Sequence, residues 1–144
     1  MSVAKDTERR NGVNMHDNYI VGYSVNIKEK ELAIQTVQSL DDVNGRGESI
    51  YFSEVLTHSF ECVLQCNIVF DIDQCDIDTF ISDHQTELEE MQVYGWPIDY
   101  DDLEELKKYL ISNEYKYIRL NSSYGMSGWI LAKSYCIKHS ECQQ

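Results

Sequence analysis

The sequence lacks several features that would assign it to a class at first reading. No apolar stretch approaches the length of a membrane span, and residues 1–18 mix both charge signs without the apolar core of a signal peptide. These absences predict a cytoplasmic protein that has no membrane partner. Five cysteines form an odd count without the repeated spacing of a disulfide framework, which fits reduced thiols in that compartment.

Basic residues are missing from one long stretch of the chain. Residues 71–105 contain no lysine or arginine but 13 acids, whereas the rest of the chain balances 12 acids with 12 bases. This acidic window therefore accounts for the formal net charge of −13. It predicts one strongly negative face, which attracts cationic partners and repels nucleic acid. The acids are Asp71, Asp73, Asp76, Asp78, Asp83, Glu87, Glu89, Glu90, Asp99, Asp101, Asp102, Glu104 and Glu105.

Length and composition indicate one folded domain. A chain of 144 residues with 42% hydrophobic residues can bury a core without disulfide or metal staples, and it is too apolar for a disordered acidic tail. We predict a flexible polar segment over residues 1–18, a single domain over 19–139 and a C-terminal tail over 140–144.

The first half of the domain has the period of β-strands. Apolar residues fall at every second position from residue 19 to 27, and the same period resumes after the polar residues 28–31. This pattern predicts a β-hairpin. The polar, glycine-containing stretch DDVNGRGES then interrupts the strands. Two more strands are predicted in SIYFSEVLTHSFEC and CNIVFDI, with a bend or bulge near Glu54.

The middle of the domain changes to the period of an α-helix. In DIDTFISDHQTELEEMQVYG the apolar residues form one helical stripe, which predicts a single amphipathic helix. The motif YGWP ends it, because Pro97 disfavours helical geometry at Trp96. The members of the stripe are Ile77, Phe80, Ile81, Leu88 and Met91.

A second helix is predicted to begin near Asp99 to Asp102. Asp102 and Glu105 have the spacing of a capping box, and the leucines that follow at 103, 106 and 110 would be buried. Acids lead this helix and Lys107 and Lys108 follow, which suits the helix dipole.

Two last strands are predicted in YKYIRLNSSYGMSGWILAKSYCI, joined by a turn from Tyr124 to Gly128. The predicted order is therefore β-β-β-β-α-α-β-β. Elements segregated in this way indicate an α+β domain, with a mainly antiparallel sheet and two helices packed on one face.

Two carboxylates follow an apolar strand in a pattern that suggests chemistry. The stretch NIVFDIDQC resembles the first motif of haloacid-dehalogenase-type phosphotransferases, and this resemblance implies a nucleophile at Asp71 and a second acid at Asp73. Gln74 and Cys75 depart from that motif. A strand end that leads into a helix capped by Asp76 or Asp78 is the simpler interpretation.

Three places in the sequence have residue types that can bind metals. Asp71, Asp73 and Asp76 suggest a calcium loop, but the glycine and the bidentate acid of an EF-hand are missing. Two groups combine ligand types that bind zinc, without the paired spacing of a known zinc site. These groups are Cys136, His139 and Cys142, and His58, Cys62 and Cys66. Thiols that fill the core or a tail remain the default, and no cofactor is predicted.

A tyrosine-rich stretch overlaps part of the acidic window and also contains Trp96. Its tyrosines are Tyr94, Tyr100, Tyr109, Tyr115, Tyr117 and Tyr124. Tyrosine and tryptophan supply rigid contact area at interfaces, although packing in the core is the favoured explanation for any single tyrosine. The overlap with the acidic window shifts the group towards recognition. The densest acidic cluster lies beside two of these aromatics, and we predict that it is a partner-binding site. Its residues are Trp96, Asp99, Tyr100, Asp101, Asp102, Glu104 and Glu105.

Most of the domain, residues 19–137, resembles small uncharacterised bacterial α+β proteins that accompany secreted polymorphic toxins. The resemblance rests on IYFSEVLTHSF, NIVFDID, YGWP, DDLEELKKYL and SSYGMSGWILAKSY. It implies an immunity protein that binds its cognate toxin inside the producing cell. With the acidic window, the expected function is inhibition of a basic, nuclease-like toxin by a protein that is not an enzyme.

Three alternatives stay open from the sequence. The acids can serve solubility alone, as in many small domains. A small metal-dependent enzyme that uses Asp71 and Asp73 is the second alternative. The third is a homodimer joined through a sheet edge or through the tyrosine-rich surface.

Overall fold

The computed structural model describes residues 18–41 and 47–140, in which six strands and three α-helices form. The first four strands are β1 (Tyr19–Asn26), β2 (Glu31–Val37), β3 (Gly47–Glu61) and β4 (Asn67–Cys75). Then come α1 (Ile77–Asp83), α2 (Gln85–Met91), a 3₁₀ turn (Gln92–Tyr94) and α3 (Leu103–Ser112). Strands β5 (Lys116–Tyr124) and β6 (Ser127–Ser140) complete the order.

Some predictions fall outside the described residues. The flexible segment was predicted over residues 1–18, and only Asn18 of it is described. Asn18 is buried, and its amide donates to Glu48 Oε1 at 2.7 Å. Residues 42–46 of the interrupting stretch and residues 141–144 of the predicted tail also lie outside the described part.

The six strands close into a barrel in the order β1-β2-β3-β6-β5-β4, and all neighbouring pairs are antiparallel. The predicted mainly antiparallel α+β class and the predicted β1–β2 hairpin are confirmed. Closure of the sheet was not predicted. It depends on β3, which bends at Glu54, where φ is 54°, and shifts register against β6 between Val55 and Thr57. A bulge of this kind increases local twist and lets a long strand curl.

The barrel interior is an apolar core. Along each strand, every second side chain among those described points into the barrel, as expected from the two-residue period of a strand. Fully buried side chains from β2, β3 and β5 fill the centre, among them Ile34, Phe52 and Ile118. Among the described side chains, the buried set is Ile20, Leu32, Ile34, Ile50, Phe52, Ile118, Leu120, Met126, Ile130 and Ala132.

The helices lie outside the barrel and form a second core. Tyr117, Trp129 and Leu131 point outward from β5 and β6 and pack against the apolar faces of all three helices. Their helical partners include Phe80 and Leu106, both fully buried. The helical layer therefore covers one side of the barrel, and it carries most of the acidic window.

The prediction of two helices is wrong, because the first predicted helix is divided at His84. This residue has φ −122° and ψ 23°, so α1 ends there and α2 begins. Its ring lies 4.7 Å from the Trp129 ring between centroids, and its Nε2 is 3.1 Å from the Tyr117 hydroxyl. These contacts with the barrel accompany the break, and no local sequence pattern signals them.

The predicted start of the last helix is confirmed. Asp102 is the extended N-cap of α3, and its Oδ1 accepts a hydrogen bond from the Glu105 amide at 2.8 Å. The Glu105 carboxylate reaches back to the Asp101 amide at 2.7 Å, one residue earlier than the capping box requires. Leu106 and Leu110 are buried as predicted, and Leu103 is partly buried.

The cap of α1 gives a prediction about one carboxyl group. Asp76 Oδ1 accepts from the Thr79 hydroxyl at 2.7 Å and from the Thr79 amide at 2.9 Å, and these bonds lower the pKa of Asp76. Its stabilising effect is therefore present above its usual pKa and is lost as the pH falls through the lowered value. Thr79→Val should raise this pKa towards the usual value, which carboxyl-detected NMR titration measures.

Thr86→Val is the matched control, because Thr86 is exposed in α2 and lies away from this cap. It should leave the titration of Asp76 unchanged. An unchanged pKa in the Thr79 variant would show that the hydroxyl does not bind the carboxylate in solution.

Candidate functional site

The acidic window lies on one side of the molecule. Asp71 and Asp73 belong to β4, and the other acids belong to the helical layer. The window therefore reaches from the barrel wall across α1 and α2 to the first turn of α3.

Some carboxylates of the window are paired with cations or accept hydrogen bonds from an amide. Arg119 lies 3.4 Å from Asp83 Oδ2 and 3.9 Å from Asp73 Oδ2. The Asn121 amide donates to Asp71 at 2.6 Å and to Asp73 at 3.1 Å. Lys107 Nζ lies 2.7 Å from Asp78 Oδ1, a contact that raises the pKa of the lysine. The partially exposed ion pairs contribute little stability, but Arg119 and Lys107 reduce the net negative charge around Asp73, Asp78 and Asp83.

The other end of the window surrounds an exposed apolar group. Val93 is 81% exposed and Tyr94 is 77% exposed in the 3₁₀ turn, and Met91 beside them is also exposed. Exposed acids lie on both sides of this turn in the sequence, at the end of α2 and around the start of α3. Together with the three apolar residues they form what we call the acidic patch. Its residues are Glu89, Glu90, Met91, Val93, Tyr94, Asp99, Asp101 and Glu104.

Hydrogen bonds join the two segments that make the acidic patch. The Gln92 side-chain amide donates to the carbonyls of Tyr100 and Asp101, at 2.8 and 2.9 Å. The Tyr100 hydroxyl donates to the Leu88 carbonyl at 2.7 Å. The loop before α3 is therefore fastened to the end of α2, and the surface is formed before any partner arrives. Preorganisation of this kind reduces the entropy lost on binding.

A glycine makes the turn of the acidic patch. Gly95 has φ 75°, a left-handed conformation that side chains rarely adopt, and its amide donates to the Gln92 carbonyl at 2.9 Å. An added Cβ would lie 2.6 Å from Asp99 Oδ1. The chain thus reverses directly after Tyr94, which leaves that side chain at the tip of the turn.

The structure separates the predicted site residues into three groups. Asp99, Asp101 and Glu104 are exposed in the acidic patch. Asp102 and Glu105 are also exposed, but they cap α3.

The two predicted aromatics form the third group and belong to the second core. Tyr100 is buried, and burial raises the pKa of its hydroxyl. Trp96 is partly buried, and its Nε1 donates to the Thr57 hydroxyl at 3.1 Å. Its ring packs edge to face with Trp129, with 6.3 Å between centroids. These rings lie beneath the acidic patch, and the apolar side chains exposed at its surface are instead those of Tyr94 and Val93.

Sequence reasoning did not select Val93 and Tyr94. Tyr94 was one of a cluster of tyrosines, and Val93 lay at the end of the predicted first helix. One signal in the sequence could have indicated them. Both residues come after Met91, the last member of the apolar helical stripe, so the stripe does not assign them to the buried face. Their exposure depends on where the chain turns at Gly95.

The two carboxylates of the phosphotransferase hypothesis project from within a strand. β4 continues to Cys75 and pairs with β5 from Ile68 onwards, so Asp71 lies in the middle of an antiparallel ladder. Asp71 and Asp73 share the Asn121 amide. Residues 18–41 and 47–140 contain no group of three or more His, Cys, Asp or Glu that could hold a metal ion. The predicted calcium ligands Asp71, Asp73 and Asp76 therefore do not form such a group.

The structure does not bring the described members of the two zinc candidates together. Cys136 and His139 lie at positions of opposite parity on β6, and His139 Nδ1 is 3.1 Å from Glu48 Oε2. Cys142 lies outside the described residues. In the other candidate, His58 lies in β3, whereas Cys62 and Cys66 belong to the loop before β4.

A polar cluster near His84 connects the helices to the barrel. The Tyr117 hydroxyl donates to Asp83 Oδ2 at 2.8 Å, and His84 Nδ1 lies 2.7 Å from Glu87 Oε1. Burial and the bond to Asp83 raise the pKa of Tyr117, so it remains a phenol at neutral pH. A shallow cavity of about 240 Å³ borders this cluster. The hydrogen bonds of this cluster join side chains of the fold to one another. We infer that the cluster holds α1 and α2 in place on the barrel.

No family model, curated protein or solved structure matches this chain. None of the helices in residues 18–41 and 47–140 is long and apolar enough to cross a membrane.

Proposed function

We propose that this chain is an acidic binding protein that recognises a basic protein through the acidic patch. The observation that supports this most is the exposure of Tyr94 and Val93 among carboxylates, on a turn held by the Gln92 hydrogen bonds. Exposed apolar residues rimmed by charge are typical of protein interaction sites. If the acids served solubility alone, the surface would need its charges but not the exposed side chains of Val93 and Tyr94.

The partner proposed is a nuclease-like toxin, with this chain as its immunity protein in the cytoplasm. The resemblance of residues 19–137 to toxin-associated proteins motivates this role. A nuclease must attract phosphate, so its active surface is basic, and an acidic inhibitor can cover that surface in place of the nucleic acid. The chain performs no chemistry in this proposal and needs no cofactor.

Charge and apolar contact have different tasks in this proposal. The carboxylates steer the partner during approach, and their effect weakens with salt because exposed charges are screened over about 8 to 10 Å. Tyr94 then enters the contact and slows dissociation, since aromatic anchors at the centre of an interface lose water on binding.

Tyr94→Ala should therefore speed dissociation from the basic partner about tenfold and leave the association rate nearly unchanged. The measurement is surface plasmon resonance with the partner captured from the native host. The melting temperature should not fall, because Tyr94 is exposed.

Tyr124→Ala is the matched control, since Tyr124 is another exposed tyrosine, at the end of β5 away from the helices. It should dissociate like the wild-type chain. Equal dissociation rates for both variants would remove Tyr94 from the interface.

A further inference from the structure

Two strands of the barrel have edges that are only partly paired. β1 pairs with β4 only at Tyr19 and Ile20, so residues 21–26 have no strand on that side in the described part of the chain. β3 pairs with β2 only as far as Ser53, so residues 55–61 likewise have no strand on their β2 side among the described residues. Each edge presents backbone N–H and C=O groups to the space beside it.

These two edges flank the same opening, which we call the slot. The Tyr23 ring meets the Phe60 ring across it, with 5.1 Å between centroids. One end of the slot is fixed where the Val55 amide donates to the Lys30 carbonyl at 2.9 Å. The other end is fixed by the short β1–β4 pairing.

Apolar side chains line the slot. A cavity of about 240 Å³ at one end is bordered by Val25, Ile27, Val55 and His58. A cavity of about 420 Å³ at the other end is bordered by Val21, Tyr23, Val63 and Leu64. Val21, Tyr23, Val25, Val63 and Leu64 are all substantially exposed. An apolar lining with this much exposure indicates a surface that another segment covers.

The slot is also neutral, in a chain with a formal net charge of −13. Residues 18–27, which include all of β1, contain no charged side chain. Burial lowers the pKa of His58, which keeps its imidazole uncharged at neutral pH. Charged groups lie at the ends, where Lys30 and Glu31 border the first cavity and where Glu61 is the last residue of β3. The lining therefore favours an uncharged occupant.

We infer that the slot binds an extended, uncharged segment of a partner protein, about six residues long, as an added β-strand. Two open strand edges recognise an extended backbone, and the apolar lining accepts its alternate side chains. The composition of residues 1–10 argues against the chain's own N-terminal segment as the occupant of an uncharged slot. Residues 1–10 carry five charged side chains. This inference does not depend on the acidic patch or on its partner.

The test uses the full chain and the blocked peptide acetyl-TVTVTVT-amide, observed by NMR with amide hydrogen exchange. Binding should be saturable, and the amides of residues 21–26 and 55–61 that face the slot should exchange at least about tenfold more slowly with peptide bound. The same peptide with its valines N-methylated keeps its side chains but loses the backbone N–H donors of the valines. It should bind at least about tenfold more weakly.

Variants of the chain locate the binding. Val25→Lys places a charge in the slot and should reduce peptide affinity at least about tenfold. Ile111→Lys makes the same change at an exposed position of α3 and should bind like the wild-type chain. If the Val25 variant does not fold, the comparison of the two peptides on the wild-type chain still decides the matter.

Several results would overturn the inference. One is an absence of saturable binding, and another is equal binding of the N-methylated peptide. A third is a concentration-dependent dimer that protects the same amides, which would make a second copy of this chain the occupant. A fourth is slow exchange of these amides before any peptide is added, if removal of residues 1–17 makes the exchange fast. That result would make the chain's own N-terminal residues the occupant of the slot.

Discussion

Replacing Phe80 by alanine should lower the free energy of unfolding by about 3 to 5 kcal/mol. Phe80 is fully buried between α1 and the barrel, and its ring lies 5.2 Å from that of Tyr117 and 5.4 Å from that of Trp129 between centroids. The substitution removes apolar contacts and leaves a cavity in the second core, and both effects lower stability. Urea denaturation followed by circular dichroism measures the loss.

Ile111→Ala is the control for this experiment, because Ile111 is an exposed apolar residue of α3. It should change the free energy of unfolding by less than about 0.5 kcal/mol. A loss below about 1 kcal/mol for the Phe80 variant would mean that the helical layer does not pack on the barrel as described.

Reversing three charges of the acidic patch should slow association with the basic partner by about ten- to a hundredfold at low salt. The variant carries Glu90→Lys, Asp101→Lys and Glu104→Lys. These side chains are exposed, and the variant leaves the carboxylates of Asp102 and Glu105 to cap α3. Stopped-flow measurement of the association rate over a range of salt should also show a weaker salt dependence.

A second triple variant separates the position of the charges from their number. Glu29→Lys, Glu31→Lys and Asp41→Lys alter exposed acids on the β1–β2 side of the barrel. Each reversal adds two charges, so both variants change the formal net charge from −13 to −7. The control variant should associate much faster than the patch variant. Equal rates would show that only the total charge matters and that the acidic patch is not the binding surface.

Local patterns predicted much of the fold. The period of two in β1 and β2 around the polar residues 28–31 was enough to predict a hairpin, and the Asp102 cap was read from spacing alone. Barrel closure could not be predicted in this way. It depends on pairing between β1 and β4, almost fifty residues apart, and on the bend at Glu54. The break at His84 likewise depends on Trp129 and Tyr117, which come much later in the chain.

The sequence predicted where exposed carboxylates lie, but not which apolar residues are exposed among them. The carboxylates that follow Pro97 lie on the surface, because charged groups are rarely buried without partners. Aromatic residues follow no such rule. Tyr100 and Tyr94 have the same side chain only six residues apart, and one is buried while the other is exposed. The hydrogen bonds of Gln92 and Tyr100 hold the loop against α2, where Tyr100 joins the second core and Tyr94 does not.

The measurement that tests the central claim most directly is affinity capture from the native host, at low and at high salt. The baits are the wild-type chain, the acidic-patch variant and the control variant with the same net charge. The proposal predicts one cationic protein that the wild-type and control chains retain at low salt, that salt releases, and that the patch variant fails to retain. Recovery of the same proteins on all three baits, or of only anionic ones, would contradict it.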